Sequence, residues 1–299
     1  MGEGGDVKKI FVGMIVAIMF SGITFAGIEE AKEFVKAKKY VEAEAEYRKV
    51  LPELKGEEAA DVQFQIADIL QTQKKYEEAI EEYKKVETIE GASQEIISYA
   101  LYRAGRSYTA LKKYAEAEAE YKKALPGLTS TRAINTQGYI GNMLRYQKKY
   151  EEAIEEYNKV LKMDRVAPNV VATTTNGIGA SLQAMKQYDK AIEEYNKVEE
   201  MKKVAPFNLY TAAYSKGTCL QGLKKYEEAI VELRKIEEME KITPSQKSNA
   251  LFSIAQCYEK LDKNEEAIAE YTKIENMKGI SKRRIGLAKS KIEKLSQSK

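Results

Sequence analysis

The strongest constraint on this chain is that it repeats itself. Residues 74–86, KKYEEAIEEYKKV, recur at 148–160 with twelve of thirteen residues identical. Weaker copies begin at Lys38, Lys112, Lys186, Lys224 and Asp262. Their anchor positions are Tyr40, Tyr76, Tyr114, Tyr150, Tyr188, Tyr226 and Asn264, spaced 36, 38, 36, 38, 38 and 38 residues. A fixed period in this range marks an array of one supersecondary unit, in which each copy buries its apolar side against its neighbours. Seven copies tile residues 27–277. A length of 299 residues exceeds one ordinary core, and an elongated array accommodates it.

Within a copy the apolar spacing is helical. Tyr76, Ala79, Ile80, Tyr83 and Val86 share one face of an α-helix. Glu and Lys fill the other face, with i,i+4 pairs such as Glu81–Lys85, Glu155–Lys159 and Glu193–Lys197. A second apolar pattern precedes each later anchor, and nine positions before the anchor it carries a small residue: Ala67, Gly105, Gly141, Gly179, Gly217 or Ala255. Such a residue lets the second helix of a pair approach the first. Ala79, Ala117, Ala153, Ala191, Ala229 and Ala267 do the same from the second helix. A large side chain at Ala153 is expected to cost about 1–3 kcal/mol by overpacking. Pro168, Pro206 and Pro244 suit the first turn of a following helix, where no N–H is needed. Pro52 and Pro126 should shorten the helices they follow.

The recurring Gly/Ala, Tyr, Ala and Tyr series resembles the tetratricopeptide repeat family over about five-sixths of the chain. The resemblance implies an all-α fold: tandem helix pairs stacked into a right-handed superhelical α-solenoid, with first helices lining a concave groove. Copies here exceed the usual length of about 34 residues, which implies an added helical turn or a longer loop between copies. The family's frequent Trp is absent. Residues 278–299 are expected to form a basic capping helix and tail, with Ile285, Ala288, Ile292 and Leu295 on its buried side.

Residues 1–26 have the parts of a secretory signal: Lys8-Lys9, the apolar stretch Ile10–Phe20, and a small-residue segment ending at Ala26. The alternative is a retained membrane anchor formed by the uncharged run Ile10–Ile28. Both place the repeats outside the cytosol, in the periplasm or an equivalent compartment.

Composition narrows the chemistry. There is no His, so His-based nucleophile pairs, His-ligated zinc and haem attachment are excluded. A net charge of +3 with interleaved signs gives no case for nucleic acid. Cys219 and Cys257 occupy equivalent places in neighbouring copies and are expected to be buried free thiols, because adjacent helices hold such positions too far apart for a bridge. Glu77-Glu78, Glu151-Glu152 and Glu227-Glu228 recur at helix starts, where they favour the helix dipole, and so are not catalytic dyads. No phosphate-cradling loop, cofactor motif or metal constellation is present, and no enzyme activity is expected.

Carried over residue by residue, the resemblance implies that Phe64, Asp68, Tyr99, Tyr102 and Arg106 line the groove. It adds Asn142, Arg145, Tyr146 and Asn176, then Tyr214, Phe252 and Gln256. Aromatic, amide and Arg groups suit a protein partner. The paired Lys and Asn with which some members clamp a terminal carboxylate are not clustered here. The sequence thus points to a non-enzymatic extracytoplasmic scaffold. Its partners would be proteins, as subunits of a larger complex such as an exported enzyme complex, with self-association open. A membrane-anchored organiser or assembly factor is the alternative.

Overall fold

The structure, a computed structural model, describes residues 25–297. Of the segment read as signal (1–26) or anchor (Ile10–Ile28), all but Phe25, Ala26, Gly27 and Ile28 lies outside the described residues, as do Ser298 and Lys299. Among the described residues there is no strand, and the fold is an all-α array of helix pairs.

Two compact units divide the chain between Met143 and Leu144. The first holds residues 25–36 (α1), Tyr40–Val50 (α2), Gly56–Thr72 (α3), Tyr76–Val86 (α4), Gln94–Ala110 (α5), Tyr114–Ala124 (α6) and most of Ser130–Tyr146 (α7). In it α3 packs on α4, α4 on α5 and α5 on α6, and the first helices α3 and α5 also touch. The second holds Tyr150–Leu161 (α8), Pro168–Ala184 (α9), Tyr188–Glu199 (α10), Pro206–Gly222 (α11), Tyr226–Glu238 (α12), Pro244–Lys260 (α13), Asn264–Glu275 (α14) and Lys282–Gln297 (α15). Each of these packs on the next, and the first helices also meet directly, α9 on α11 and α11 on α13. No described helix is long and apolar enough to cross a membrane.

The second tyrosines, seven positions after the anchors, do what their spacing predicts. Tyr47, Tyr83, Tyr121, Tyr157, Tyr195 and Tyr271 are buried, together with the small residues opposite them. A Cβ on Gly105 would sit 2.7 Å from Tyr121, and one on Gly179 2.6 Å from Tyr195. The small residue is therefore the seat of the second tyrosine. Pro168, Pro206 and Pro244 open α9, α11 and α13. Pro52 and Pro126 end α2 and α6 in short 3-10 turns. The first helices from α3 to α13 are uniformly 17 residues long and the connections are short, so the extra residues per copy are not gathered in a long loop. Cys219 and Cys257 are free and buried, and burial pushes the Cys219 thiol up to about 12.

The charged face of the second helices differs from the expectation. The three lysines expected at i,i+4 pair at i,i+3 instead, Lys85 with Glu82, Lys159 with Glu156 and Lys197 with Glu194, while Arg48–Glu44 and Lys122–Glu118 do pair at i,i+4. Glu82, Glu120, Glu232 and Glu270, six positions after their anchors, are buried rather than solvated. A cation from the preceding copy reaches three of them, as Arg48–Glu82 at 2.9 Å, Lys84–Glu120 at 3.2 Å and Arg234–Glu270 at 2.7 Å. Asn196 stands where the fourth cation belongs, and Lys216 of α11 takes its place at 2.9 Å from Glu232.

The basic terminal helix α15 packs on α14 and buries Ala288 and Leu295. Part of its charge turns inward: Lys291 meets Glu259, Lys289 meets Glu275, and Arg284 meets Asn249 and lies over Phe252.

Candidate functional site

In the first unit a continuous run of rings crosses α3, α5 and α7. Phe64 contacts Tyr83 at 5.5 Å and stacks on Tyr99 at 5.0 Å. Tyr99 stacks on Tyr102 at 6.0 Å, and Tyr102 meets Tyr121 at 6.0 Å and Tyr139 at 6.3 Å. Burial is graded along it. Phe64 is 5% exposed and forms part of the core, Tyr99 and Tyr102 are half-buried, and Tyr139 is 36% exposed. Ring stacking of this kind fixes side chains that would otherwise rotate, and so presents preformed apolar area.

Arg103 locks the run in place. Its guanidinium pairs with Asp68 at 2.5 Å and donates to Gln71 Oε1 at 2.6 and 3.0 Å. Asp68 also accepts from the Tyr83 hydroxyl. Burial opposes the Arg103 charge, but Tyr83 and Asp68 more than offset it, and the group is held firmly protonated. Asp68 is thus committed to internal pairing. Burial raises the Tyr102 phenol and Tyr139 adds to this, while Arg106 pulls the other way. Arg132, in the first turn of α7, lies 4.3 Å from the centre of the Tyr99 ring.

The second unit has a sparser version. Arg145 lies 4.8 Å over Tyr146, which is 46% exposed. Asn176 is 6% exposed and donates to the Asn208 carbonyl. Arg145 Nε and Asn176 Oδ1 are buried without a hydrogen-bond partner among the described residues. Tyr214 stacks on Tyr210 at 5.7 Å and shares a hydrogen bond with Ser253. Phe252 packs edge-on against Tyr271 at 5.1 Å. Gln256 is exposed and Asn142 half-buried.

Of the residues predicted from sequence, the structure gathers Phe64, Asp68, Tyr99, Tyr102 and Arg106 in one place. Phe64 and Asn176 lie beneath the surface, and the half-buried Asp68 is taken up by Arg103 and Tyr83. Sequence reasoning missed Arg103, Arg132 and Tyr139. Tyr139 follows Gly138, which holds the expected groove position, so a shift of one residue hid it. Arg132 precedes the repeat's patterned positions and carried no periodic signal.

Among the described residues no group of Cys, Asp and Glu is arranged to hold a metal ion. An open cavity of about 560 Å³ is lined by Leu51, Leu54, Ala59 and Ile89, with Lys55 and Glu90 beside them. It gathers no nucleophile with a base.

A tandem array of packed helix pairs defines the helical-repeat class. Sequence models of the tetratricopeptide repeat match residues 132–203 and, separately, 60–92, 98–125 and 248–278. Together these segments cover more than half of the chain, which belongs to the tetratricopeptide repeat family. Members of this family are generally non-catalytic modules that bind other proteins. No curated protein matches the sequence at a significant level. Solved structures match the fold. A tetratricopeptide repeat protein from Parabacteroides merdae is 16% identical, with a TM-score of 0.59, over 91% of this chain and 98% of that one. The apo form of RapI is 16% identical, with a TM-score of 0.63, over 92% of this chain and 87% of that one. A chain of the APC/C hetero-tetramer Cut9-Hcn1 is 15% identical, with a TM-score of 0.54, over 92% of this chain and 46% of that one. At these identities the likeness concerns the fold alone.

Proposed function

We propose that this protein is a non-enzymatic scaffold outside the cytosol, which holds partner proteins on its first-helix faces and supports the assembly of a multiprotein complex. The observation that carries the reading is the ring run Phe64–Tyr99–Tyr102–Tyr139. The fold needs its buried end, but nothing in helix-pair packing calls for the exposed end at Tyr139. Half-exposed aromatic rings beside Arg are the composition of binding hot spots. The extracytoplasmic location rests on Lys8-Lys9 and the uncharged run after them. The assembly role, including that of organising an exported enzyme complex, is in keeping with the place of one structural neighbour in a hetero-tetramer.

Mild purification of the tagged protein from its native source, with and without Tyr102→Ala plus Tyr139→Ala, tests this. The unsubstituted chain should bring down defined partners, and the double variant should lose them at unchanged helical content. Equal recovery would remove the first-unit face from the account. The intact mass of the native protein decides the N-terminal question: a cleaved chain begins near Gly27, and a membrane-anchored organiser keeps Met1 or Gly2.

A further inference from the structure

The arginines around the ring run are not equivalent. Arg103 is matched by Asp68 and Gln71. Arg106 and Arg132 pair with no carboxylate among the described residues. The helices that carry them are poor in acid, as α9, α11 and α13 also are, but they alone among these first helices carry Arg. α5 contains Glu95 alone and α7 contains none, against Arg103, Arg106, Arg132 and Arg145. Through the second helices of this nearly balanced chain Lys and Arg are interleaved with Glu, whereas the terminal helix α15 is basic. A local surplus of positive charge therefore lies on the same two helices as the exposed rings.

Arg132 is also prearranged. Stacked on Tyr99, its planar fork loses less freedom on meeting a carboxylate than a free side chain would. The rings themselves have little free face. Tyr99 stands between Phe64 and Arg132, and Tyr102 lies nearly parallel to Tyr99, at 11°. Their edges and hydroxyls remain, which suit the polar backbone of an extended chain. They do not offer the open platforms that bases need for stacking.

We propose that the occupant of this strip is an extended acidic segment internal to a partner protein. Its carboxylates are held by Arg106 and Arg132, and its backbone lies along Tyr102 and Tyr139. This rests on the preceding reading that the strip binds a protein.

The test uses the purified full chain and fluorescein-labelled peptides of alternating Glu and Tyr, acetylated and amidated so that no terminal carboxylate is present. Control peptides carry Gln or Lys in place of Glu. The Glu form should bind about tenfold more tightly than the Gln form, the scale of one charge-assisted contact. Added salt should narrow that gap. Arg106→Gln with Arg132→Gln should abolish the preference and leave the Gln form's affinity unchanged. Equal binding of the Glu and Gln forms, binding of neither, tighter binding of the Lys form, or equal competition by a deoxythymidine oligonucleotide would each overturn the proposal. The arginine variant separates this inference from the scaffold reading. If it keeps the native partners while the tyrosine variant loses them, the scaffold stands and the acidic segment falls. If the tyrosine variant also keeps them, the scaffold reading fails first.

Discussion

At the residue scale, the turns within helix pairs hold an unexpected choice. Lys38, Lys74, Lys112, Lys148, Lys186, Lys224 and Asp262 all have φ between 57° and 64°. Each ends a first helix in the same way. The Lys74 N–H donates to the Gln71 carbonyl and the Lys75 N–H to the Leu70 carbonyl, which closes a Schellman turn around a left-handed residue. Glycine adopts that conformation without strain, whereas a residue with a Cβ does not. Lys74→Gly and Lys148→Gly are therefore expected to stabilise the fold by about 0.5–1 kcal/mol each, read as a higher urea midpoint at unchanged slope. A second pair of substitutions tests the seat of the tyrosines. Gly179→Val should cost about 1–3 kcal/mol, because its Cβ would collide with Tyr195. Gly138→Ala meets nothing within 4 Å and should be neutral or slightly stabilising, since Ala is the better helix former. Thermal melts of the two variants should move in opposite directions from one another.

At the element scale, copies are joined by apolar faces and by the buried glutamates. Burial alone would raise the Glu82 carboxyl, but hydrogen bonds from Lys85, Arg48 and Gln63 prevail and hold it below its ordinary 4.5. A carboxyl whose folded value is depressed contributes stability above its unfolded value and loses it as the pH falls through the folded one. Acidification from about pH 5 to about pH 3 should thus lower the melting temperature, and Glu82→Gln should flatten part of that slope. An unchanged slope would mean that the Arg48–Glu82–Lys85 group does not hold these copies together. The sequence displayed the period, the tyrosine faces and the proline starts, because each leaves a repeated apolar or conformational mark. It concealed the glutamates. A Glu on the polar side of an amphipathic helix has the same pattern whether it faces water or a cation of the preceding copy, such as Arg48. The left-handed lysines were hidden for a related reason: lysine in a turn looks like ordinary solubility.

At the scale of the whole molecule, function falls to whatever the repeat does not need. Phe64, Tyr99 and Tyr102 could be placed from sequence because they occupy first-helix positions that face inward. Tyr139 and Arg132 could not, because one stands a residue out of register and the other lies ahead of the patterned segment. They acquire meaning only when α5 and α7 bring them beside Tyr102 and Tyr99. Hydroxyl-radical footprinting of the chain, alone and in its co-purified complex, tests the central claim most directly. Tyrosines on both helix types report in one experiment. The account predicts that Tyr102 and Tyr139 lose reactivity in the complex, while Tyr76 and Tyr114, at the starts of second helices, keep theirs. Protection of Tyr76 and Tyr114 with Tyr102 and Tyr139 unchanged would contradict it.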